Sequence, residues 1–136
     1  MSESIKLSAV IPAGPQRIYE AWLDGREHAA FTGGGAASVD RKVGGKFTAW
    51  DGYISGTNLE LEPGRRIVQR WRTTNFSRES PDSHLEVLLK ETPRGTRVTL
   101  RHTNIPDGQG QEYKQGWREF YLAPMKRYFA GSKSGA

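Results

Sequence analysis

Ile5, Leu7, Ala9 and Ile11 alternate with polar or small residues near the start of the chain. That period of two predicts a strand with one buried face. Pro12 and Pro15 end it. Ile18, Ala21 and Trp22 then recur at i, i+3 and i+4, which predicts a short amphipathic helix with Pro15 in its first turn. Asp24 and Glu27 make a D-x-x-E pattern, a relative of the capping box, and open a second short helix through Phe31. Thr32 to Ala37 is a glycine-rich loop. No lysine follows it at P-loop spacing and it lacks a strand-to-helix context, so it does not read as a phosphate cradle.

From Ala37 to about Asn104 the pattern is β, with strands predicted at 37–41, 45–50, 53–61, 66–73, 83–91 and 96–103. Turn signals separate them: Gly44-Gly45, Asp51-Gly52, Pro63-Gly64, Ser80-Pro81-Asp82 and Pro93-Arg94-Gly95. Successive hairpins give an antiparallel sheet. Ile105 to Gly110 reads as a loop. Tyr113, Trp117, Phe120, Tyr121, Met125 and Tyr128 then follow helical spacing, so the chain closes with a long aromatic-faced helix that Pro124 should kink or locally break. The expectation is an α+β chain forming a single domain over 1–136, with a core at about 5–129 and a flexible tail at 130–136.

Strand register decides what faces inward. Asp-Gly between β-prone runs predicts a type I′ turn with positive φ at both central residues. Trp50 is then set opposite Tyr53 and Thr48 opposite Ser55. The next strand's inward set becomes Tyr53, Ser55, Thr57, Leu59 and Leu61. Ile67, Gln69 and Trp71 share one face of the following strand, and Arg66, Val68, Arg70 and Arg72 the other. Joining Leu59 and Leu61 to the first of these requires an odd loop count around Glu62-Pro63-Gly64 or a bulge nearby. Leu85, Val87, Leu89, Val98, Leu100 and His102 extend the inner face. Thr57, Gln69 and His102 are polar groups within it, and a curved sheet gripping a helix around a hollow would give them water or a ligand to meet.

The chain has 136 residues and no cysteine, so neither disulfides nor thiolate chemistry is expected. MSESIKLSAV has no apolar core of a secretory signal, and no apolar run approaches a membrane span. A cytoplasmic protein without membrane insertion is expected. A net charge of +5 permits an acidic partner without arguing for nucleic acid. No triplet of His, Asp and Glu has metal-ligand spacing, and no nucleophile elbow is present, so no metal, cofactor or catalytic residue is assigned. His28 and His84 fall in a helix and at a strand start. His102 is either a buried imidazole satisfied by a neighbour such as Gln69 or Tyr121, or a group that meets a ligand.

Three segments in combination carry a resemblance. GGKFTAWDGYISGTNLELEPGRRIVQRWR, the strand pair ending in LRHTNIP, and QGWREFYLAPMKRYF resemble the C-terminal domain of activators of the heat shock protein 90 ATPase. IPAGPQRIYEAWLD resembles that family's strand-helix entry. The match covers about residues 5 to 129 and includes no counterpart of the family's N-terminal domain. The resemblance implies a helix-grip fold of the START-like (SRPBCC) superfamily: a curved antiparallel sheet wrapped around a long C-terminal helix, with two short helices after the first strand. It also implies a cavity between sheet and helix. The residues expected to line it are Trp50, Tyr53, Thr57, Gln69, Trp71, His102, Trp117, Phe120 and Tyr121. Three readings follow. The first is a non-catalytic module binding a small hydrophobic or amphipathic molecule. The second is a chaperone-associated protein binding a heat shock protein 90 homologue, with Arg66, Arg70 and Arg101 as the partner surface. The third is a cyclase- or hydrolase-like enzyme on the same fold.

Overall fold

The computed structural model describes residues 2–33 and 35–134, with side chains as far as residue 130. Strand β1 (Ser2–Ile11) is followed by helices α1 (Pro15–Trp22) and α2 (Gly25–Thr32). Six strands come next: β2 (Ser38–Val39), β3 (Lys46–Ala49), β4 (Ile54–Glu62), β5 (Arg66–Thr73), β6 (Ser83–Thr92) and β7 (Gly95–Pro106). They form one curved antiparallel sheet in the order β1-β7-β6-β5-β4-β3-β2. The two short helices therefore carry the chain from one sheet edge to the other, and hairpins do the rest. The Asp24 carboxylate accepts from the Glu27 N–H at 3.0 Å and starts α2 as the D-x-x-E pattern predicts.

The closing helix runs as α3 (Gly110–Trp117), a π-helical turn (Arg118–Leu122) and α4 (Ala123–Ser134). Pro124 is the cause: it has no N–H to return to the Phe120 carbonyl, and its ring would strike that oxygen. A widened turn resolves both problems, so the expected break takes the form of a π-turn. The start of this helix is tied to β1. The Glu3 carboxylate accepts from the Gly108 N–H at 3.0 Å and the Gly110 N–H at 2.7 Å, and these bonds hold its pKa below the usual carboxylate value. The loop expected at 105–110 is shorter than predicted, because β7 stays paired with β1 as far as Pro106. At the other end, the helical backbone continues to Ser134, well into the expected tail; residues 135 and 136 lie outside the described residues.

Thr48 pairs with Ser55, the register read from the sequence. The two central residues of the turn, Asp51 and Gly52, take the positive φ expected of them, and the Tyr53 N–H donates to the Trp50 carbonyl at 3.1 Å to close it. Regular strand pairing stops one step earlier, at Ala49 and Ile54, so Trp50 and Tyr53 flank the turn. Three successive residues have positive φ: Trp50 (54°), Asp51 (59°) and Gly52 (91°). A left-handed tryptophan costs roughly 1–2 kcal/mol. The tip is held by a two-way tie to the glycine-rich loop. Asp51 N–H donates to the Ala36 carbonyl at 3.0 Å, and the Asp51 carboxylate accepts from Ala36 N–H at 2.8 Å. Gly35 lies so close to that carboxylate that a Cβ there would collide with it.

The bulge required by the register falls between Asn58 and Glu60, upstream of the Pro63-Gly64 turn. Before it, Ile54 and Asn58 are buried and Gly56 lies under the Phe47 ring. Thr57 pairs with Arg70 and Ser55 with Arg72, so both point to the outer face. The expected inward set of Ser55 and Thr57 is therefore corrected by one residue, and only beyond the bulge does Leu61 come opposite Ile67 on the inner side. Ile67, Trp71, Leu85, Val87, Val98 and Leu100 form the inner face as predicted, packed under Trp117, Tyr121, Met125 and Phe129 of the closing helix.

Candidate functional site: an aromatic hollow at the hairpin tip

The inward-facing polar side chains His102, His28, Gln69 and Asn58 are buried and paired with other protein groups. Trp117 Nε1–H donates to His102 Nδ1 at 3.1 Å, which makes Nδ1 an acceptor and puts the ring proton on Nε2. That proton goes to Ser83 Oγ at 2.7 Å, and Ser83 donates to the Trp71 carbonyl at 2.8 Å. The Ser83–His102 pair is thus oriented the wrong way for a nucleophile and its base, and both residues are buried. Burial pushes the His102 pKa down to about 3, with His84 acting in the same direction. His28 is the counterpart near α2. Its Nδ1–H donates to the Trp22 carbonyl at 3.0 Å, its Nε2 accepts from Tyr121 Oη at 2.8 Å, and burial lowers its pKa to about 4. Gln69 donates to Asn58 Oδ1 at 2.8 Å, and Asn58 donates to the Asp40 carbonyl at 2.9 Å. Trp71 packs against His102, Tyr113 and Trp117. Among the described residues, Trp22 Nε1 is the buried side-chain polar atom without a hydrogen-bond partner.

Open space lies elsewhere. A partly open hollow of about 370 Å³ sits between the β3–β4 hairpin tip and one face of the closing helix. Trp50, Tyr53 and Ile54 form the hairpin side; Glu112, Tyr113, Gly116, Trp117, Phe120 and Tyr121 form the helix side. Phe120 is 52% exposed and meets Trp50 edge-to-face at 5.7 Å, so these two rings form one rim. Gly116 leaves room between them: a Cβ there would find Phe120 Cδ2 at 4.0 Å and no closer neighbour.

The hydroxyls of the lining tyrosines are engaged. Tyr121 is bonded to His28, and burial raises its pKa. Tyr113 donates to Gln109 Oε1 at 2.6 Å and also meets Thr73 Oγ1 at 2.7 Å, and burial raises its pKa to about 12. Tyr53 accepts from Asn75 Nδ2 at 2.9 Å, and the same amide reaches Glu112 Oε2 at 3.3 Å.

Of the residues expected to line a cavity, Trp50, Tyr53, Trp117, Phe120 and Tyr121 border this hollow. Thr57 points outward, and Gln69, Trp71 and His102 sit in the packed core and do not reach it. The polar atoms of Gln69 and His102 found protein partners, so a hollow is not needed to satisfy them. Ile54, Glu112, Tyr113 and Gly116 were missed. Tyr113, Gly116, Trp117 and Phe120 recur at helical spacing, a signal that marks a common face but not which part of it stays uncovered.

The arginines expected as a partner surface are largely engaged. Arg66 bonds Glu86 at 2.6 Å, Glu60 at 2.5 Å and Glu62 at 3.1 Å, and Arg101 lies 3.6 Å from Glu86. Arg70 stands exposed beside them. A different groove, between β1 and the closing helix, carries Lys6, Lys114, Arg118, Lys126 and Arg127. Among the described residues none of these five forms an ion pair.

Comparison with known proteins agrees with this architecture. An HSP90 activator from Plasmodium falciparum superposes with a TM-score of 0.82 at 26% identity, covering 96% of each chain. The activator of 90 kDa heat shock protein ATPase homolog of Dictyostelium discoideum is 28% identical over 132 residues, 96% of this chain and 34% of the relative. Homolog 1 from Homo sapiens is 26% identical over 128 residues, 92% of this chain and 36% of the relative. The chain thus spans about a third of the length of these curated relatives. The profile of the Activator of Hsp90 ATPase homolog 1-like protein family matches residues 12–130, and the chain belongs to that family.

Proposed function

We propose that this chain is a non-catalytic, cytoplasmic binding module that takes a small hydrophobic or amphipathic molecule in the hollow between the hairpin tip and the closing helix. The observation that carries this reading is the 370 Å³ of space walled by aromatic residues, with Phe120 half in solvent at its mouth. Large aromatics left uncovered around a concavity favour an apolar occupant. The packed interior supports the same choice of place, since the inward polar side chains Gln69 and His102 are already paired with protein groups. The test is titration of a medium-chain fatty alcohol, read by indole fluorescence and thermal melting. Trp50 and Trp117 should be quenched, and at a hundredfold excess over Kd the fold should gain about 2.7 kcal/mol. An unchanged spectrum and an unchanged melting temperature across alcohols of several lengths would sink the reading.

A second reading is favoured by the basic groove. Five cations without acidic partners among the described residues suit an acidic face on another protein. Relatives named as activators of the 90 kDa heat shock protein ATPase make a heat shock protein 90 homologue the partner to try first. Lys114→Glu with Lys126→Glu should abolish such binding and leave alcohol binding intact. Arg66→Glu should do less, because Arg66 is already neutralised by glutamates.

A further inference from the structure

The hollow is not electrically neutral. Of its lining residues one is charged, Glu112, and none is basic. Glu112 forms no ion pair among the described residues; its one hydrogen bond comes from the Asn75 amide, which also holds the Tyr53 hydroxyl. The remaining walls are Trp50, Tyr53, Tyr113, Trp117, Phe120 and Tyr121 beside Ile54 and Gly116. Aromatic faces carry negative potential and attract cations, most strongly where water is excluded. Hydroxyl groups that would otherwise offer polar contacts are spoken for: Tyr113 by Gln109 and Thr73, Tyr121 by His28. The Trp117 indole N–H is given to His102. What a ligand meets is a set of ring faces, the Tyr53 hydroxyl and a single carboxylate at the rim.

Resting on the reading of this hollow as a ligand site, we propose that its occupant is an organic cation: an alkyl- or aryl-ammonium whose apolar body fills the space and whose charged head lies between the aromatic rim and Glu112. A carboxylate-bearing or sulfate-bearing amphiphile would bring its anion against Glu112 and the ring faces, with no basic side chain in the lining to receive it, so it should bind weakest. The chain as a whole carries a net charge of +5, which attracts anions and repels cations. A preference for the cation can therefore arise only from the local site.

The experiment compares three probes with one tail, all below their micellar concentrations: octyltrimethylammonium, its uncharged near-isostere octyldimethylamine oxide, and octyl sulfate. Affinity is measured by tryptophan quenching and calorimetry at low and moderate salt. The expected order is ammonium tightest, by about tenfold over the amine oxide, with octyl sulfate weakest. Glu112→Gln, an exposed substitution, should bring the ammonium down to the amine oxide and leave the amine oxide unchanged. Phe120→Ala should weaken both. Equal affinity for all three probes, or a preference for the sulfate, would overturn the cation assignment while leaving a ligand site in the hollow. Failure of every probe to bind would remove both this inference and the reading beneath it. Cation preference that survives Glu112→Gln and Phe120→Ala alike would place the cation elsewhere on the protein and also overturn the assignment.

Discussion

Two neutral, buried histidines make folding stability fall on mild acidification. His28 and His102 have native pKa values of about 4 and about 3, both below the unfolded value of 6.5, and burial is the main cause in each case. Above pH 6.5 both states are neutral at these positions and the groups add no pH dependence. Below it the unfolded chain binds protons that the native state refuses, so stability is lost as pH falls toward the native values. At pH 5 the deficit is 1.5 pH units below the unfolded value, about 2 kcal/mol for each histidine and about 4 for both. That is a large part of a domain's typical 5–15 kcal/mol. The carboxylates do not blur the window. Glu3, Glu20 and Glu27 have pKa values lowered by their partners from the ordinary 4.5, so their stabilisation is present above that value and lost only below it. Urea unfolding between pH 7.5 and 5 should show a slope approaching two protons. His102→Gln and His28→Gln each keep a donor and an acceptor and cannot titrate, so each should reduce the slope by one proton. A flat profile from pH 6.5 to 5, or variants with the parent's slope, would refute the neutral-histidine assignment.

Other consequences are equally direct. His102→Leu leaves the Trp117 indole N–H without an acceptor and should cost about 1–3 kcal/mol. With Trp117→Phe added, the double variant should be more stable than the sum of the single losses by about 1–2 kcal/mol in denaturant melts, whereas strict additivity would mean the bond is not made. Gly52→Val places a β-branched residue at φ 91° and should lower the melting temperature; equal melting would show that the tip tolerates another turn.

The elements were legible because each has a short-range signal. Alternation gave the strands, D-x-x-E the start of α2, and Pro124 the interruption of the closing helix. The inner faces of β5, β6 and β7 followed from period two alone. The face of β4 did not. One extra residue at the bulge between Asn58 and Glu60 reverses the strand before it, and the sequence marks the need for such a slip without marking its position. The polar residues Gln69 and His102 were rightly placed inside, yet their partners, Asn58, Ser83 and Trp117, lie 11 to 19 residues away and come together only in the sheet. Inward polarity therefore pointed to a hollow in the wrong part of the molecule. The hollow's outline depends on which aromatics remain uncovered, a property of hairpin length and helix path that residue spacing does not encode.

Three features that local preference disfavours converge on that hollow. Trp50 sits at positive φ, Gly116 lies inside a helix, and the π-turn begins one residue after Trp117. Glycine in a helix interior costs about 1 kcal/mol relative to alanine, and departures of this kind gather where shape serves something besides stability. Gly116 separates the two demands cleanly, because its Cβ position is open except for Phe120 Cδ2 at 4.0 Å. Gly116→Ala should raise stability by roughly 0.5–1 kcal/mol through helix propensity. Gly116→Leu should fill the space between Trp50 and Phe120 and remove ligand binding while the fold stays at least as stable as the parent. Measured together, urea midpoints and ligand titrations would then move in opposite directions, the signature of a hollow kept open at the expense of the helix. If Gly116→Leu binds ligand as well as the parent, the occupant does not use this space.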